Sequence, residues 1–495
     1  VIVVGSGSAG LIAALSFKRK VPLLDVSIVR SPEIGVIGVG EGTTPNFPTY
    51  LFDELGISRK RFYELAGPTW KLGVRFLWGP RGRFDYSFSP QLDSQWTDLP
   101  KPHGFYCEDQ FANNNLAAAL MRQDKVFCRQ QNGCPDIQPW HAFHIENVKF
   151  VEVLEQIARE IGVNIIDGKV VGADRGDGGI SAVHLEDGRR MEADFFVDAS
   201  GFRSELLGQA LEEPYTSFDK TLFCDRAVVG GWERGPDEPI LPYTTAEQMD
   251  AGWSWRIDHE HHVNRGYVYS SQAISDEDAA EEFIRKNPKV PKSPRVVKFR
   301  SGCYKRLWVD NVVAIGNAGG FVEPLEATAL MIVCSHCKTM VDFLLHSSLE
   351  PTPSIRNLYN DLVAATWSDI RDFLGLHYKS NSAMDTPFWK HCQNDTDLSG
   401  IGALLEFYEE NGPTGFCRYR MPTSQSDFGI EGYFTILTGN KVPHRKPHYP
   451  TEKEVAQWKA HCKAFEQEAR TGMGVKEALD YVRHPGWRWF GEKTG

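Results

Sequence analysis

The chain has 495 residues, which is too long for one typical hydrophobic core and predicts two domains or one large domain with a cap. Its net charge of −11 excludes the basic face that a nucleic-acid partner requires, and no segment approaches the roughly 18 apolar residues of a membrane span. Ten cysteines are too few for a disulfide scaffold in so long a chain, so reduced thiols and a cytoplasmic location are expected.

The first predicted element is a buried parallel strand at Val1–Val4, and a few native residues are expected to precede it. A glycine turn follows at once, and Leu11–Lys20 then predicts a helix, which is the order that a dinucleotide-binding fingerprint requires. The three glycines of such a turn permit the tight bend, the approach of a pyrophosphate and the packing of helix on strand, while the helix start attracts phosphate. The predicted nucleotide contacts are Gly5, Ser6, Gly7, Ser8, Ala9 and Gly10.

The second predicted strand, Asp25–Val29, should end in an acid that holds ribose hydroxyls, but Arg30 follows it. An arginine at this position is typical of 2′-phosphate binding and would favour NADP. Glu33 or Glu41 would serve a ribose instead. The beginning of the chain therefore leaves the choice of cofactor open.

Two later apolar strands return to the predicted nucleotide domain. The first, at 193–201, ends in Asp198-Ala199-Ser200-Gly201, and the second, at 312–318, runs into a further glycine turn. Such late returns are similar to those of FAD-binding monooxygenases and halogenases, in which the third strand closes over the flavin. A plain NADP dehydrogenase does not need them, so we expect FAD and leave Arg30 unexplained.

Two segments carry a more specific resemblance. Lys71 lies in Pro68–Phe76, which contains Trp70-Lys71, and Glu326 lies in Gly316–Thr328, which contains Glu-Pro-Leu-Glu-Ala-Thr. Both resemble the catalytic segments of flavin-dependent halogenases of the tryptophan halogenase family, and weaker matches extend over nearly the whole chain. The resemblance implies that Lys71 and Glu326 face one pocket.

The resemblance also implies an α/β fold, in which a FAD-binding, monooxygenase-like nucleotide domain of the glutathione reductase type has a mixed sheet. The halogenase core, with an inserted substrate-side sheet, is expected at residues 1–345, and a mainly helical cap over the substrate pocket at 346–495. Within that cap, Gln457–Arg470 and Val475–Arg483 have the spacing of amphipathic helices. Besides the first turn, the implied flavin contacts are Ser31, Val39, Glu41, Gly42, Lys169, Gly316 and Asn317.

The family reaction uses FADH2 from a separate flavin reductase, O2 and a halide ion to make hypohalous acid, which then reaches a small electron-rich aromatic substrate. Lys71 is expected to hold this acid or to form a haloamine, and desolvation would make its amine more reactive. Glu326 is expected to orient that group or to accept the proton that the arene loses. The structural alternatives are a surface lysine on a strand edge and an acid that complements a helix dipole.

The resemblance further implies a halide site at the backbone N–H groups of Thr328 and Ala329. The family has Glu-Ser-Thr-Gly where this chain has Glu-Ala-Thr-Ala, and the change from glycine to Ala329 suggests the hypothesis that bromide or iodide is preferred to chloride. Trp253 and Trp255 resemble the family's WxWxIP motif, which separates the substrate from the flavin, with Asp258 in place of the proline. Residues two apart on a strand share a face, so both indoles are expected on one side.

Cysteine and histidine spacing predicts no metal site. Cys128 and Cys134 near His141 fit no standard zinc pattern, and Cys334 and Cys337 lie in an apolar helical stretch that favours a buried structural pair. A homo-oligomer stays open. Two other functions also stay open: an aromatic hydroxylase that uses NAD(P)H, and a non-catalytic FAD-binding protein. Because no second glycine fingerprint for NAD(P)H is present, a halogenase with a separate reductase is favoured.

Overall fold

The computed structural model describes residues 1–33, 35, 40–90, 114–291, 294–423, 426–446 and 449–489. The chain divides into two compact units, each assembled from three stretches. The first unit comprises Val1–Gly67, Ile145–Phe218 and Arg300–Trp367, and the second comprises Pro68–His144, Asp219–Phe299 and Ser368–Gly495. The predicted functional division at residue 345 stays a prediction.

Strands and helices alternate in the first part of the chain, and helices dominate the last part. The strands are β1 Ile2–Val4, β2 Ser27–Arg30, β3 Glu41–Gly42, β4 Thr69–Lys71, β5 Gly73–Leu77, β6 Phe84–Ser87, β7 Ala142–Ile145, β8 Asn164–Asp167, β9 Val170–Gly176, β10 Gly179–Leu185, β11 Arg190–Glu192, β12 Phe196–Asp198, β13 Tyr215–Ser217, β14 Arg226–Glu233, β15 Thr244–Met249, β16 Gly252–Asp258, β17 His262–Tyr269, β18 Arg295–Lys298, β19 Gly302–Tyr304, β20 Trp308–Val309, β21 Val312–Ala314 and β22 Gly320–Phe321. The helices are α1 Ser8–Lys20, α2 Asn46–Thr49, α3 Arg59–Arg61, α4 Leu116–Arg122, α5 Asn147–Glu160, α6 Asp276–Lys286, α7 Ala329–His346, α8 Pro353–Ser380, α9 Pro387–Asp395, α10 Gly402–Asn411, α11 Gly429–Gly439, α12 Glu452–Arg470 and α13 Val475–Arg483. The predicted α/β fold with a helical C-terminal part is confirmed.

A mixed sheet organises the first unit, with the described strands in the order β20-β21-β12-β1-β2-β8. β1 pairs in parallel with β2 and β12, and β12 pairs in parallel with β21, so the apolar strands that the sequence predicts are neighbours. The antiparallel pairing of β20 with β21 makes the sheet mixed. The carboxyl ends of β1, β12 and β21 therefore meet at one edge, where ligands of α/β sheets bind.

Apolar packing holds this edge in place. α1 buries Leu11, Ile12 and Leu15 completely, and it packs against α5 and α7. Ile2 of β1 and Phe196 of β12 belong to one buried cluster with residues of β9 and β10. Each large side chain buried in this way contributes about 1.5–3 kcal/mol to folding, so the turns that follow the strands start from fixed positions.

α7 is long and apolar enough to cross a membrane, by length and composition alone. The expectation that no segment approaches a membrane span was therefore too strict. Leu330, Ile332, Met340 and Leu344 of this helix are buried within the protein, which is the pattern of a core helix.

The second unit contains a sheet whose described strands stand in the order β18-β14-β17-β16-β15-β5-β6. β15 and β5 pair in parallel, whereas β16 pairs in antiparallel fashion with both β15 and β17. β4 lies outside this sheet and pairs antiparallel with β7, with Lys71 opposite Ala142. The alternation of side chains along β4 and β16 thus decides which residues share a face.

The C-terminal helices follow their sequence signals closely. α13 has the predicted bounds, but α12 begins at Glu452, five residues before the predicted Gln457. The earlier start has a local cause: the Thr451 hydroxyl accepts a hydrogen bond from the Glu454 N–H, and the Glu454 carboxylate accepts one from the Thr451 N–H. This reciprocal pair is a capping box, which satisfies backbone donors that a helix start leaves without partners.

Candidate active site

The glycine turn of the first unit has one position with open space and two without. Gly5 has a φ of +110°, and a Cβ there would lie 2.3 Å from the Ala199 carbonyl oxygen. A Cβ at Gly10 would lie 1.9 Å from the Gly5 carbonyl oxygen. By contrast, a Cβ at Gly7 would meet nothing within 4 Å, and Gly7 is the residue from which α1 starts. The turn therefore leaves room for an anion at the helix start, as predicted for a pyrophosphate.

The turn after β21 contacts the first turn. Gly316 has a φ of +65°, and a Cβ there would lie 2.9 Å from the Ala9 Cβ. Asn317 follows in a single helical turn at Gly316–Ala318. The predicted cofactor residues of the two turns thus lie side by side in the first unit.

Asp198 stabilises the backbone beside these turns. Its carboxylate accepts hydrogen bonds from the N–H groups of Leu206 (2.8 Å) and Leu207 (2.9 Å) and from the hydroxyl of Ser200 (2.6 Å). Burial raises the pKa of Asp198, while these hydrogen bonds oppose that rise. The acid of the Asp-x-Ser-Gly sequence is therefore occupied with its own main chain.

Arg30 has a structural explanation that the sequence did not provide. Nη1 of Arg30 donates to both carboxylate oxygens of Glu155, at 2.7 and 2.8 Å, and Nε donates to Asp167 at 2.8 Å. The hydrogen bond that Arg30 donates to Asp167 is the main cause that raises the pKa of Arg30. A guanidinium engaged by two carboxylates is not the group that a 2′-phosphate requires, so the argument for NADP loses its basis.

Two further predicted cofactor residues offer buried polar atoms. Within the described part of the chain, Oγ of Ser31 and Oε2 of Glu41 are buried without a hydrogen-bond partner. The other oxygen of Glu41 accepts a bond from Asn147 at 2.5 Å, and burial raises the pKa of Glu41 to about 6. Such atoms usually find partners, so they fit a ligand with hydroxyl and ring polar groups, as FAD has.

The other implied flavin contacts are less informative. Lys169 follows β8, and its amine lies 3.3 Å from the Glu186 carboxylate. Gly42 belongs to β3. Val39 lies outside the described residues.

Glu326 lies before α7 and not within its first turn. Glu326 is 3% exposed, α7 begins at Ala329, and Thr328 precedes it as the flanking residue. Between them, Ala327 has a φ of +57°, a left-handed conformation that side chains rarely adopt. The alternative of an acid that complements a helix dipole loses its basis, because this left-handed residue separates Glu326 from the helix. An acid outside the first turn is poorly placed to complement the helix dipole, which leaves the functional interpretation of Glu326 the stronger one.

Lys71 is completely buried in the second unit, so the alternative of a surface lysine is wrong. Its Nζ lies 5.1 Å from the centre of the Phe88 ring, within the range of a cation–π contact. The positive charge of Lys71 also affects His144. Burial is the main cause that lowers the pKa of His144 to about 3, and the charge of Lys71 is the second. Neither Phe88 nor His144 was predicted as a neighbour of Lys71. The pairing of β4 with β7 brings His144 near Lys71, and the Phe88 N–H donates to the Leu72 carbonyl at 2.8 Å.

The two predicted wall residues lie on β16. Trp253 and Trp255 are both buried, and their ring centroids are 6.2 Å apart. Trp255 occupies the space above Gly266, where a Cβ would lie 2.0 Å from its ring. Both indoles therefore share one side of the sheet, as the spacing predicts.

Comparisons with known proteins identify the family. The family model "Tryptophan halogenase" matches residues 1–455. The chain belongs to the tryptophan halogenase family. The tryptophan 7-halogenase KtzQ of Kutzneria sp. (strain 744) is 31% identical over 450 residues, covering 83% of this chain and 82% of KtzQ. The enzyme is accordingly a flavin-dependent oxidoreductase.

Solved structures agree with this assignment. MibH, a lathipeptide tryptophan 5-halogenase, is 36% identical, with a TM-score of 0.89 over 97% of this chain and 93% of MibH. Tar14, a tryptophan C-6 flavin-dependent chlorinase from taromycin biosynthesis, is 27% identical, with a TM-score of 0.85 over 97% and 98% of the two chains. The similarity extends over both units, so the enzyme shares the whole fold with these halogenases.

Proposed function

We propose that the enzyme is an FADH2-dependent halogenase that uses O2 and halide to halogenate an electron-rich aromatic substrate through Lys71. The observation that carries this proposal is the complete burial of Lys71 in an enzyme of this family. A buried amine loses hydration, and lysine is seldom kept in such a position unless it is paired or has a function. We infer a cytoplasmic location, with FADH2 supplied by a separate flavin reductase.

FAD fits the first unit. The helix start at Gly7 would hold its pyrophosphate, Ser31 and Glu41 would bond its polar groups, and the turn at Gly316 and Asn317 would contact it from the other side. Bound reduced FAD supplies two electrons, so that FADH2, O2, halide and a proton give FAD, hypohalous acid and water. The residues of this unit bind and orient the cofactor, and they exclude water from it.

The halogen is then transferred in the second step. Lys71 donates a hydrogen bond from its ammonium to the oxygen of hypohalous acid, which makes the halogen more electrophilic. The aromatic carbon forms a bond to the halogen, the oxygen–halogen bond breaks, and the oxygen takes a proton from the Lys71 ammonium and leaves as water. Glu326 accepts the proton that the arene loses, and the return of a proton to Lys71 completes the cycle. Arene and hypohalous acid thus give halogenated arene and water.

The names of the relatives support a proposal for the substrate class. Tryptophan appears in the names of KtzQ, MibH and Tar14, and that of MibH adds a peptide. We propose that the substrate is an indole, as free tryptophan or within a peptide, and that the helical residues 346–495 select it. Phenols are the second class to be tested.

A product assay tests the proposal directly. The protein is supplied with FAD, a flavin reductase, NADH, O2 and each halide, together with free tryptophan, tryptophan-containing peptides and phenols. We expect a mass gain that corresponds to the replacement of hydrogen by halogen. Lys71→Ala should lower product by roughly 100-fold or more while flavin reoxidation continues, and Glu326→Gln should lower turnover without loss of soluble protein.

Other outcomes would assign other functions. Full activity of Lys71→Ala would contradict the proposal. A mass gain of one oxygen would identify an aromatic hydroxylase, and FAD binding without product from any substrate would favour a non-catalytic protein.

A further inference from the structure

β16 ends at Asp258, which replaces the proline of the motif that it resembles. The Asp258 side chain is completely buried, and two arginines bind it. Nη2 of Arg234 lies 2.6 Å from Oδ1, while Nε and Nη2 of Arg256 lie 2.9 and 3.0 Å from the two carboxylate oxygens. A buried carboxylate needs such charged partners, since an unpaired charge would be costly. We call these three residues the 258 clamp.

The 258 clamp also fixes the surrounding main chain. Nε of Arg234 donates to the His259 carbonyl at 3.0 Å, and its Nη1 donates to the Pro239 carbonyl at 2.6 Å. Nη2 of Arg256 extends to Glu238 at 3.3 Å. The end of β16 is therefore tied to the segment before β15 by bonds that all depend on the two guanidiniums.

A buried hydrogen bond joins the clamp to the strand of Lys71. The Thr69 hydroxyl donates to the Asp258 carbonyl oxygen at 2.6 Å, and Thr69 is completely buried. Thr69 and Lys71 are two apart on β4, so their side chains lie on the same face. The position of this face relative to β16 is thus set through Asp258.

The clamp and Lys71 also share an electrostatic environment. His144 lies opposite Thr69 on β7 and responds to both the clamp and Lys71. Burial first and then Lys71 lower the pKa of His144, an interaction with the main chain of Asp258 raises it, and Arg234 lowers it. The Asp258 carboxylate balances one of the two positive charges that Arg234 and Arg256 place here. Its loss would add net positive charge around the ammonium of Lys71.

We propose that Asp258 is a positioning residue for Lys71. Its carbonyl fixes β4 through Thr69, and its carboxylate, held by the two arginines, keeps that carbonyl in place and the local charge in balance. The inference rests on the proposed function, because it requires Lys71 to direct the halogen. Asp258 therefore controls the transfer of the halogen to the arene and has no part in the formation of hypohalous acid.

The test compares Thr69→Val with Thr69→Ser in the full-length enzyme. Valine keeps the shape of threonine without the hydroxyl, whereas serine keeps the hydroxyl. Thr221→Val is the matched control, because the buried Thr221 hydroxyl donates to the Asp397 carbonyl at 3.0 Å in the same unit. Asp258→Asn removes the negative charge of the clamp. Asp85→Asn is its control, because it likewise neutralises a buried carboxylate that binds an arginine, Arg75, at 2.8 Å.

The readouts are halogenated product, O2 consumption, bound FAD and hypohalous acid captured by a soluble amine such as taurine. For Thr69→Val and Asp258→Asn, we expect the product per O2 consumed to fall by about 10-fold or more, because small displacements of a reacting group have large effects. Captured hypohalous acid should rise correspondingly, and Thr69→Ser and the two controls should behave like the wild type.

The two proposals fail in different ways. Equal ratios of product to O2 in Thr69→Val and Thr221→Val, with Lys71→Ala inactive, would overturn the role of Asp258 alone. An active Lys71→Ala would overturn the proposed function itself. If Asp258→Asn does not fold, Thr69→Val still decides the question, because it removes only one hydroxyl.

Discussion

Gly7 and Gly10 belong to one turn but have opposite surroundings. A side chain at Gly10 would collide with the main chain, whereas one at Gly7 would enter open space at the start of α1. Gly10 is therefore needed for folding, and Gly7 is needed only if a ligand occupies that space. The fingerprint in the sequence does not separate these two roles.

Gly7→Ala is expected to fold like the wild type and to bind FAD at least about 10-fold more weakly, a loss of about 1.4 kcal/mol, because the methyl group takes the place of the pyrophosphate. Fluorescence titration of FAD measures the affinity, and thermal unfolding without FAD measures stability. Gly172→Ala is the control, since its Cβ would also meet nothing within 4 Å. Equal FAD affinity of the two variants would contradict the predicted phosphate site.

For single residues, the sequence predicted which residues belong to the candidate site better than it predicted the contacts that these residues make. Lys71 and Glu326 were selected by resemblance, and both are buried. Arg30 remained unexplained because its partners Glu155 and Asp167 are 125 and 137 positions away. No local pattern reveals an ion pair between such distant positions.

The start of α7 shows what an element adds to its residues. The helix has 18 residues, and its first N–H groups, which no carbonyl within the helix can bond, carry a partial positive charge. Ala327, in a left-handed conformation, turns the chain just before this start. The structure thus places Thr328 and Ala329 at a helix start, where backbone groups can bind an anion, and halide binding there stays a proposal.

Ala329→Gly is expected to increase the chlorinated share of the product by roughly threefold, or about 0.7 kcal/mol, because it removes a methyl group beside the proposed halide site. The wild type should favour bromide or iodide. Mass spectrometry of products formed in mixtures of chloride and bromide measures the share.

Ala403→Gly in α10 is a control for the loss of helix propensity, because Ala403, like Ala329, is an exposed alanine in the first turn of a helix. A clean preference of the wild type for chloride would contradict the hypothesis on which this prediction rests.

At the scale of the whole molecule, the choice between halogenase and hydroxylase concerns the source of electrons. The family and the matching structures extend over most of the chain, which supports reduction of flavin by another protein.

The purified enzyme with FAD is expected to oxidise NADH no faster than free FAD does, with or without an aromatic substrate, and to form product only after a flavin reductase is added. Absorbance at 340 nm follows NADH, and the product is measured in the same sample. Rapid NADH oxidation by the enzyme alone, stimulated by an aromatic substrate, would instead identify a hydroxylase.

The sequence by itself determined the order of strands and helices around the nucleotide turn, the bounds of α13 and the family, because these depend on neighbouring residues and on motifs of a few positions. Only the tertiary structure decided that Lys71 is buried, that Ala327 is left-handed and that Asp258 is held between two arginines. Thr69 and Asp258 are 189 positions apart, and their bond exists only because the two strands are brought together by the rest of the fold. Pairing between distant segments depends on the packing of many side chains at once, and a short sequence motif does not show which segments pair.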